Sequence, residues 1–280
     1  MKKKTAGILA GVLATTLAGA GITLDQVFNI PNEDLVVTSA HSYTQCVKRD
    51  SSGVLDKNGV INLAVWNIYK QQKEGWEQAL SGLSAANDLL LLQEASYTPE
   101  LANFIHNHKL HADQVYAFAV LDKVAGVMTA SGVSSAGSCA YRAMEPLLRL
   151  PKSALASYYR LSDGQVLTVL NVHGVNFTPT LDSYIAQLNT LKWAMEQASG
   201  PVIVAGDFNT WSAGRQKALD AFVRALALKS VTPNPDNRLR VFGRPLDHIY
   251  YRGLSLEKAK APGTDASDHS MITATFKLQQ

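Results

Sequence analysis

Six short segments of this 280-residue sequence carry side chains suited to a phosphate ester and a hard cation: Trp66-Asn67, Gln93-Glu94, Asn171-Val172-His173, Gly206-Asp207-Phe208-Asn209, Asp247-His248 and Ser267-Asp268-His269. Breaking a phosphorus–oxygen bond needs a cation to neutralise the phosphoryl oxygens, an oriented water, and a proton for the leaving oxygen. Carboxylates and carboxamides are the hard oxygen donors that Mg²⁺ accepts while it keeps several waters. Histidines can hold or move the proton near neutral pH. Each residue alone has a plainer reading. Asn67 and Asn209 could satisfy turn backbone, Asp247 and Asp268 could cap turns, and His173 could be a hydrogen-bonded core residue. Turn chemistry does not explain why they all stand at strand ends.

Those strands are short apolar runs bounded by Gly, Pro, Asn, Asp or Ser: 61–66, 89–92, 115–120, 126–130, 154–159, 166–172, 202–205, 248–251 and 271–276. Helix-period segments lie between some of them, at 76–83, 99–106, 181–198 and 218–228. Thr98 before Pro99 predicts an N-cap followed by proline at the first helical position. Leu181, Tyr184, Ile185, Leu188, Leu191 and Met195 line one apolar helix face that packs on a sheet. Many strands with a few helices predict an α/β or α+β sheet sandwich covered by helices. Polar residues that end its buried strands line up along one rim.

The composition, 46% hydrophobic and 18% charged, is that of a globular chain. The formal charge of +3 equals the contribution of Lys2, Lys3 and Lys4, so the rest is neutral and shows no basic run of the kind duplex-binding faces carry. Residues 1–24, a basic start followed by an Ala-, Gly- and Leu-rich stretch, have the layout of a signal peptide or N-terminal anchor. That predicts a periplasmic or inner-membrane-anchored protein, with a cytoplasmic one as the alternative. Residues 25–59 read as a polar linker or lead-in, and 60–280 as the folded domain. In an oxidising compartment Cys46 and Cys139 can form one disulfide.

The succession WN, QE, NVH, GDFN, LDHIY and SDH resembles the endonuclease/exonuclease/phosphatase superfamily, which includes deoxyribonuclease I and abasic-site endonucleases. Val65-Trp-Asn-Ile-Tyr-Lys-Gln-Gln72, Gly126-Val-Met-Thr129, Lys152-Ser-Ala-Leu155 and Phe242-Gly-Arg-Pro-Leu-Asp247 are similar to its YafD-like bacterial branch. The resemblance implies a four-layered α/β/β/α sandwich of the deoxyribonuclease I type, two packed mixed β-sheets with helices outside. It implies Mg²⁺, with Mn²⁺ as a substitute, held by Glu94, Asn67 and Asp268. Asp207 would orient or deprotonate the attacking water. Asn209, His173 and Asn176 would contact the phosphate, and His173 would donate to it or to the leaving oxygen. His269 would hold the phosphate or act as base, its tautomer fixed by Asp247. Glu145 is a candidate for orienting His173.

The expected activity is metal-dependent hydrolysis of a phosphodiester, first as a nuclease and alternatively as an envelope phosphatase or a sphingomyelinase-like phospholipid phosphodiesterase. The substrate is then a nucleic acid, an inositol phosphate or a phospholipid, and the protein acts as a monomer without an obligate protein partner. Arg215, Arg238, Arg240 and Arg244 could meet around one loop and bind phosphate. A non-catalytic binder of the same fold is disfavoured by the complete residue set. A serine hydrolase built on Gly132-Val-Ser134-Ser-Ala136 lacks the second glycine of a nucleophile elbow.

Overall fold

The computed structural model describes residues 28–279. Two sheets pack face to face. The first, of ten strands, runs in the order Leu254–Lys260, Ile272–Leu278, Val60–Asn67, Leu89–Ser96, Lys123–Ser131, His111–Val115, Leu35–Val37 and Ser42–Thr44, with Phe118–Val120 added on Lys123–Ser131 and Phe28–Asn29 paired to Phe118–Val120. The second, of seven, runs Lys229–Ser230, Asp247–Arg252, Val202–Asp207, Val166–His173, Pro151–Arg160, Gly137–Met144 and Cys46–Lys48.

Each sheet has one parallel pair at its centre, and each pair needs a helical crossover. Val60–Asn67 reaches its parallel neighbour Leu89–Ser96 through the helix Trp76–Ala86. Val166–His173 reaches Val202–Asp207 through the helix Asp182–Glu196. Alternate residues of these strands, among them Leu63, Val65, Leu91, Val169 and Ile203, face the other sheet and form the inner core with Ile249 of Asp247–Arg252. The other faces bury Leu90 and Leu92 under the helices Trp76–Ala86 and Pro99–Asn107, and Leu170 and Val204 under Asp182–Glu196 and Ala213–Ala225. The architecture is the expected four-layered α/β/β/α sandwich.

Several expectations shift. Residues 28–59 are no free linker: Leu35–Val37 and Ser42–Thr44 join the first sheet and Cys46–Lys48 the second, and Val36 and Val47 are buried between them. These strands are three residues long, too short for alternation to show in sequence. Side-chain ties hold them, Arg142 donating to Asp34 at 2.8 Å and a Cys46–Cys139 disulfide joining directly opposed residues. The run at 115–120 is two strands with a turn between them, and the helix expected from 218 starts at Ala213, where the Ser212 hydroxyl accepts from Arg215 N–H. Thr98 caps its helix as expected, accepting from Leu101 N–H at 3.3 Å. The segment 1–24 lies outside the described residues. Among the described residues, no helix is long and apolar enough to cross a membrane.

Candidate active site

Both parallel pairs end at the same rim, where the carboxyl ends of strands leave a crevice. Register places Asn67 beside Gln93 in one sheet and aligns His173, Asp207 and Asp247 across three strands of the other. A carboxamide pair links the sheets beneath: Gln93 Nε2 donates to Asn171 Oδ1 at 2.7 Å, and Asn171 Nδ2 donates to the Met128 carbonyl at 2.9 Å. Gly206 is obligatory before Asp207. Its φ is +140°, and a Cβ there would stand 2.0 Å from the Val172 carbonyl oxygen.

The last loop is fastened to the first strand. Ser267 Oγ donates to the Asn67 carbonyl at 2.7 Å, and Trp66 Nε1 donates to the His269 carbonyl at 3.0 Å. His269 Nδ1 then meets Asp247 Oδ2 at 2.8 Å, the pairing the family pattern implies. Burial opposes charge on His269. The carboxylates of Asp247, Asp207 and Asp268 outweigh it and push the imidazole up to about 10, so it is an imidazolium at neutral pH.

Asp207 lies between the two histidines, its Oδ2 3.6 Å from His173 Nε2 and 3.9 Å from His269 Nε2. Burial raises its pKa, and the neighbouring Asp247 adds to the rise. Asn67 Nδ2 donates to the same Oδ2 at 3.1 Å, and Asn209 N–H donates to Oδ1 at 2.9 Å. Asp207, Asp247 and His269 are, among the described residues, a buried group whose ligand atoms all lie within 4.8 Å of one another.

Glu94 stands at a break in register between Leu92 and Ala95, with φ of +54°, unusual for a residue with a side chain. Burial would raise its pKa, but the ammonium groups of Lys70 and Lys152 hold it down at about 2. Lys70 Nζ is ion-paired to Glu94 Oε2, and Lys152 Nζ is 3.8 Å from Oε1. Tyr69, Lys70 and Gln71 all have φ near +50°, so a left-handed turn, intrinsically unfavourable for such residues, delivers the Lys70 ammonium.

Lys152 Nζ also lies 3.0 Å from His173 Nε2. An ammonium can only donate, so Nε2 accepts and carries no proton. Burial and the two lysines keep the His173 pKa well below its ordinary value. His173 is thus a neutral acceptor in this arrangement, where donation to phosphate was expected, and the donor beside it is Lys152. Sequence reasoning missed Lys70 and Lys152 as site residues. Both fall within the stretches that resemble the YafD-like branch.

Other expectations change. Glu145 Oε1 accepts the amides of Asn176 and Phe177, both at 2.7 Å, so it shapes the loop after His173 and is not seen orienting the imidazole. Asn176 Oδ1 accepts from Trp211 Nε1 at 2.9 Å, and one N–H of the Asn209 carboxamide goes to the Gly174 carbonyl at 3.0 Å. The four arginines do not form one patch: Arg244 lies on the hairpin that carries Arg240 and donates to the Phe242 carbonyl. Arg215 is fully buried and donates to the Val175 and Asn176 carbonyls, while Arg238 and Arg240 both pair with Asp236. His248, given no role, packs between Thr210 and the Tyr250 ring.

The profile described as Endonuclease/Exonuclease/phosphatase family matches residues 64–269, which holds every strand end named above. The chain belongs to this family. Members are phosphoester hydrolases that generally use a divalent metal. Among relatives, the chain is 42% identical over 275 residues to a UPF0294 protein of Vibrio campbellii, covering 96% of this chain and 98% of that one. It is 44% identical to a UPF0294 protein of Vibrio cholerae serotype O1 over 268 residues, 94% and 95% of the two chains. The resemblance to the YafD-like branch of the family is thereby borne out.

Among solved structures, the human Nocturnin catalytic domain with bound sulfate superposes with a TM-score of 0.61 at 18% identity, covering 80% of this chain and 95% of that one. D. rerio TDP2 complexed with a single-strand DNA product gives 0.56 at 15%, covering 78% and 99%. ANGEL2, a 2',3'-cyclic phosphatase, gives 0.59 at 14%, covering 79% and 96%. At these identities the likeness is one of fold.

The donor set fits the family's divalent ion. Glu94 is an ionised carboxylate whose partners in the structure are cations, which marks a place where positive charge is stabilised. Register sets Asn67 beside Gln93-Glu94, and the Ser267 hydrogen bond brings Asp268 to the end of the Asn67 strand. Two carboxylates and a carboxamide are hard oxygen donors of the kind Mg²⁺ takes. Asn67 Oδ1 already accepts from Tyr69 N–H at 3.1 Å, so Glu94 is the strongest of the three.

Proposed function

We propose that this protein hydrolyses phosphodiesters with Mg²⁺ or Mn²⁺ as the ion, and that it does so in the cell envelope. The observation that carries the reading is the meeting at one rim of Glu94, His173, Asp207 and the Asp247–His269 pair, with His173 within 4 Å of both Glu94 and Asp207. When bound at Glu94 with Asn67 and Asp268, the ion supplies charge neutralisation at the phosphoryl oxygens.

The chain's own residues do the rest. Lys152 donates to a phosphoryl oxygen, displacing its contact with His173. Protonated His269 donates from Nε2 to a second oxygen and stays charged because Asp247 holds Nδ1. Asp207, kept in place by Asn67 and the Asn209 amide, accepts a proton from the attacking water. Asn209 and Asn176 border the phosphate.

Two features support the envelope assignment: the Cys46–Cys139 disulfide, a bond that persists in oxidising compartments, and the export-like layout of residues 1–24. Purified protein should release nitrophenol from bis(p-nitrophenyl) phosphate with Mg²⁺ and lose that activity in EDTA. Equal rates in Mg²⁺ and EDTA would remove the metal from the mechanism. Recovery of the protein from the cytosol with two free thiols would remove the envelope.

A further inference from the structure

Beside the catalytic residues lies a groove of about 200 Å³ whose far wall is apolar. Lys70, Glu94, Lys152 and His173 form one end of it. Ala117, Phe118, Leu148, Leu150, Pro151 and Phe177 form most of the remainder. The two other polar side chains in its lining are already engaged: Glu145 accepts two backbone amides, and Ser153 Oγ accepts from Val127 N–H. Past the cations, therefore, most of the lining is apolar, with Glu145 and Ser153 as its two polar side chains.

The same apolar character continues onto the surface. Met144, Leu147, Leu148 and Phe177 are 50, 63, 48 and 51% exposed, although side chains of this size are ordinarily covered. Leu147 and Leu148 sit in the turn that joins the strands Gly137–Met144 and Pro151–Arg160, together with exposed Arg149, and Met144 is the last residue of the first strand. Leu148 and Phe177 belong both to the rim and to the groove, so the two form one surface that runs from solvent to His173. Clustered exposed apolar residues around a site mark a contact with a partner or a membrane, and a basic residue among them favours an anionic one.

We propose that this rim seats on a lipid surface and that the substrate is a phospholipid, its phosphate at Lys152, beside the cation site of Glu94, and its hydrocarbon in the groove. The inference rests on the hydrolase reading above. Water adds to phosphorus, one phosphorus–oxygen ester bond breaks, and the departing alkoxide takes up the proton that the water gave. Single-stranded nucleic acid could stack bases on Phe177, but it also calls for a basic track along its backbone. Arg215 is buried against loop carbonyls and Arg238 and Arg240 pair with Asp236, which leaves Arg244, bonded to the Phe242 carbonyl, as the one of the four without a carboxylate or a buried partner among the described residues.

The test uses the full chain with Mg²⁺ on three substrates: phosphatidylglycerol–phosphatidylethanolamine vesicles, a single-stranded DNA oligonucleotide, and bis(p-nitrophenyl) phosphate. The wild type should hydrolyse the vesicle lipid. In Leu147→Ser/Leu148→Ser, and separately in Met144→Ser, the ratio of lipid turnover to nitrophenol release should fall tenfold or more. Nitrophenol release without lipid hydrolysis, cleavage of the oligonucleotide in its place, or an unchanged ratio in both variants overturns the lipid assignment and leaves the hydrolase intact. No nitrophenol release with Mg²⁺ or Mn²⁺ overturns both.

Discussion

Lys152 and His173 face each other across the strands Pro151–Arg160 and Val166–His173, Nζ 3.0 Å from Nε2, at the point where both strands reach the rim of the candidate site. The lysine suppresses protonation of the imidazole and supplies the positive charge itself. Lys152→Met should therefore lower turnover of bis(p-nitrophenyl) phosphate by about 10² while raising the His173 pKa toward its ordinary value. Steady-state rates and an NMR titration of the imidazole read the two effects separately. If turnover falls and the His173 titration does not move, the lysine acts on phosphate without acting on the histidine.

The Asp247–His269 pair makes stability depend on pH in a defined direction. The folded-state pKa of His269 is raised to about 10, above the ordinary 6.5. Its contribution is thus complete below about pH 6.5 and is lost as pH climbs toward 10. Asp207, also raised, acts in the same direction at lower pH, its native state gaining relative stability as it takes up a proton. Melting temperature should decline steadily from pH 6.5 to 10. Asp247→Asn should flatten that decline and cost about 3–5 kcal/mol at neutral pH, because it leaves a buried charge unpaired. A wild-type melting curve independent of pH across this window would contradict the pairing.

Lys70 is the cation that meets Glu94 in the structure, and an incoming divalent ion must compete with it. Lys70→Met removes the competitor and leaves the carboxylate less neutralised. Calorimetric titration with Mg²⁺ should show binding tighter by about tenfold, a gain of roughly 1.4 kcal/mol. Glu94→Gln should weaken binding in either background. An unaltered titration curve in Glu94→Gln would take Glu94 out of the ion's ligand set.

The sequence makes the site more legible than the scaffold. Asn67, Glu94, His173, Asp207, Asp247 and His269 are visible because each ends or opens an apolar run, and rigid strands carry that order into space. Gly137–Met144 and Leu254–Lys260 are hidden because they mix Arg142, Glu257 and Lys258 into their strands, as lateral positions with a solvated face permit. Lys152 and Lys70 are hidden for another reason. A lone lysine on a strand or turn reads as a solvated charge, and only the register beside His173 and the left-handed turn at 69–71 reveal its aim. The arginines mislead in the opposite sense, since arginines that could meet around one loop suggest a phosphate patch while their partners are Asp236 and backbone carbonyls.

Arg215 shows what such a buried arginine does. Its guanidinium lies 4.5 Å from the Tyr184 ring and 4.9 Å from the Trp211 ring, and it donates to the Val175 and Asn176 carbonyls and to Thr178 Oγ1 at 2.9 Å. Those acceptors belong to the loop that carries Asn176 and Phe177 away from His173. Lysine has neither the planar fork nor the stacking face, so Arg215→Lys should behave much as Arg215→Met. Both should lose about 2–4 kcal/mol of stability, because buried carbonyls are left without donors. The loop should also become accessible to limited proteolysis near Phe177. Full stability and an uncut loop in Arg215→Lys would mean that a point charge alone suffices there.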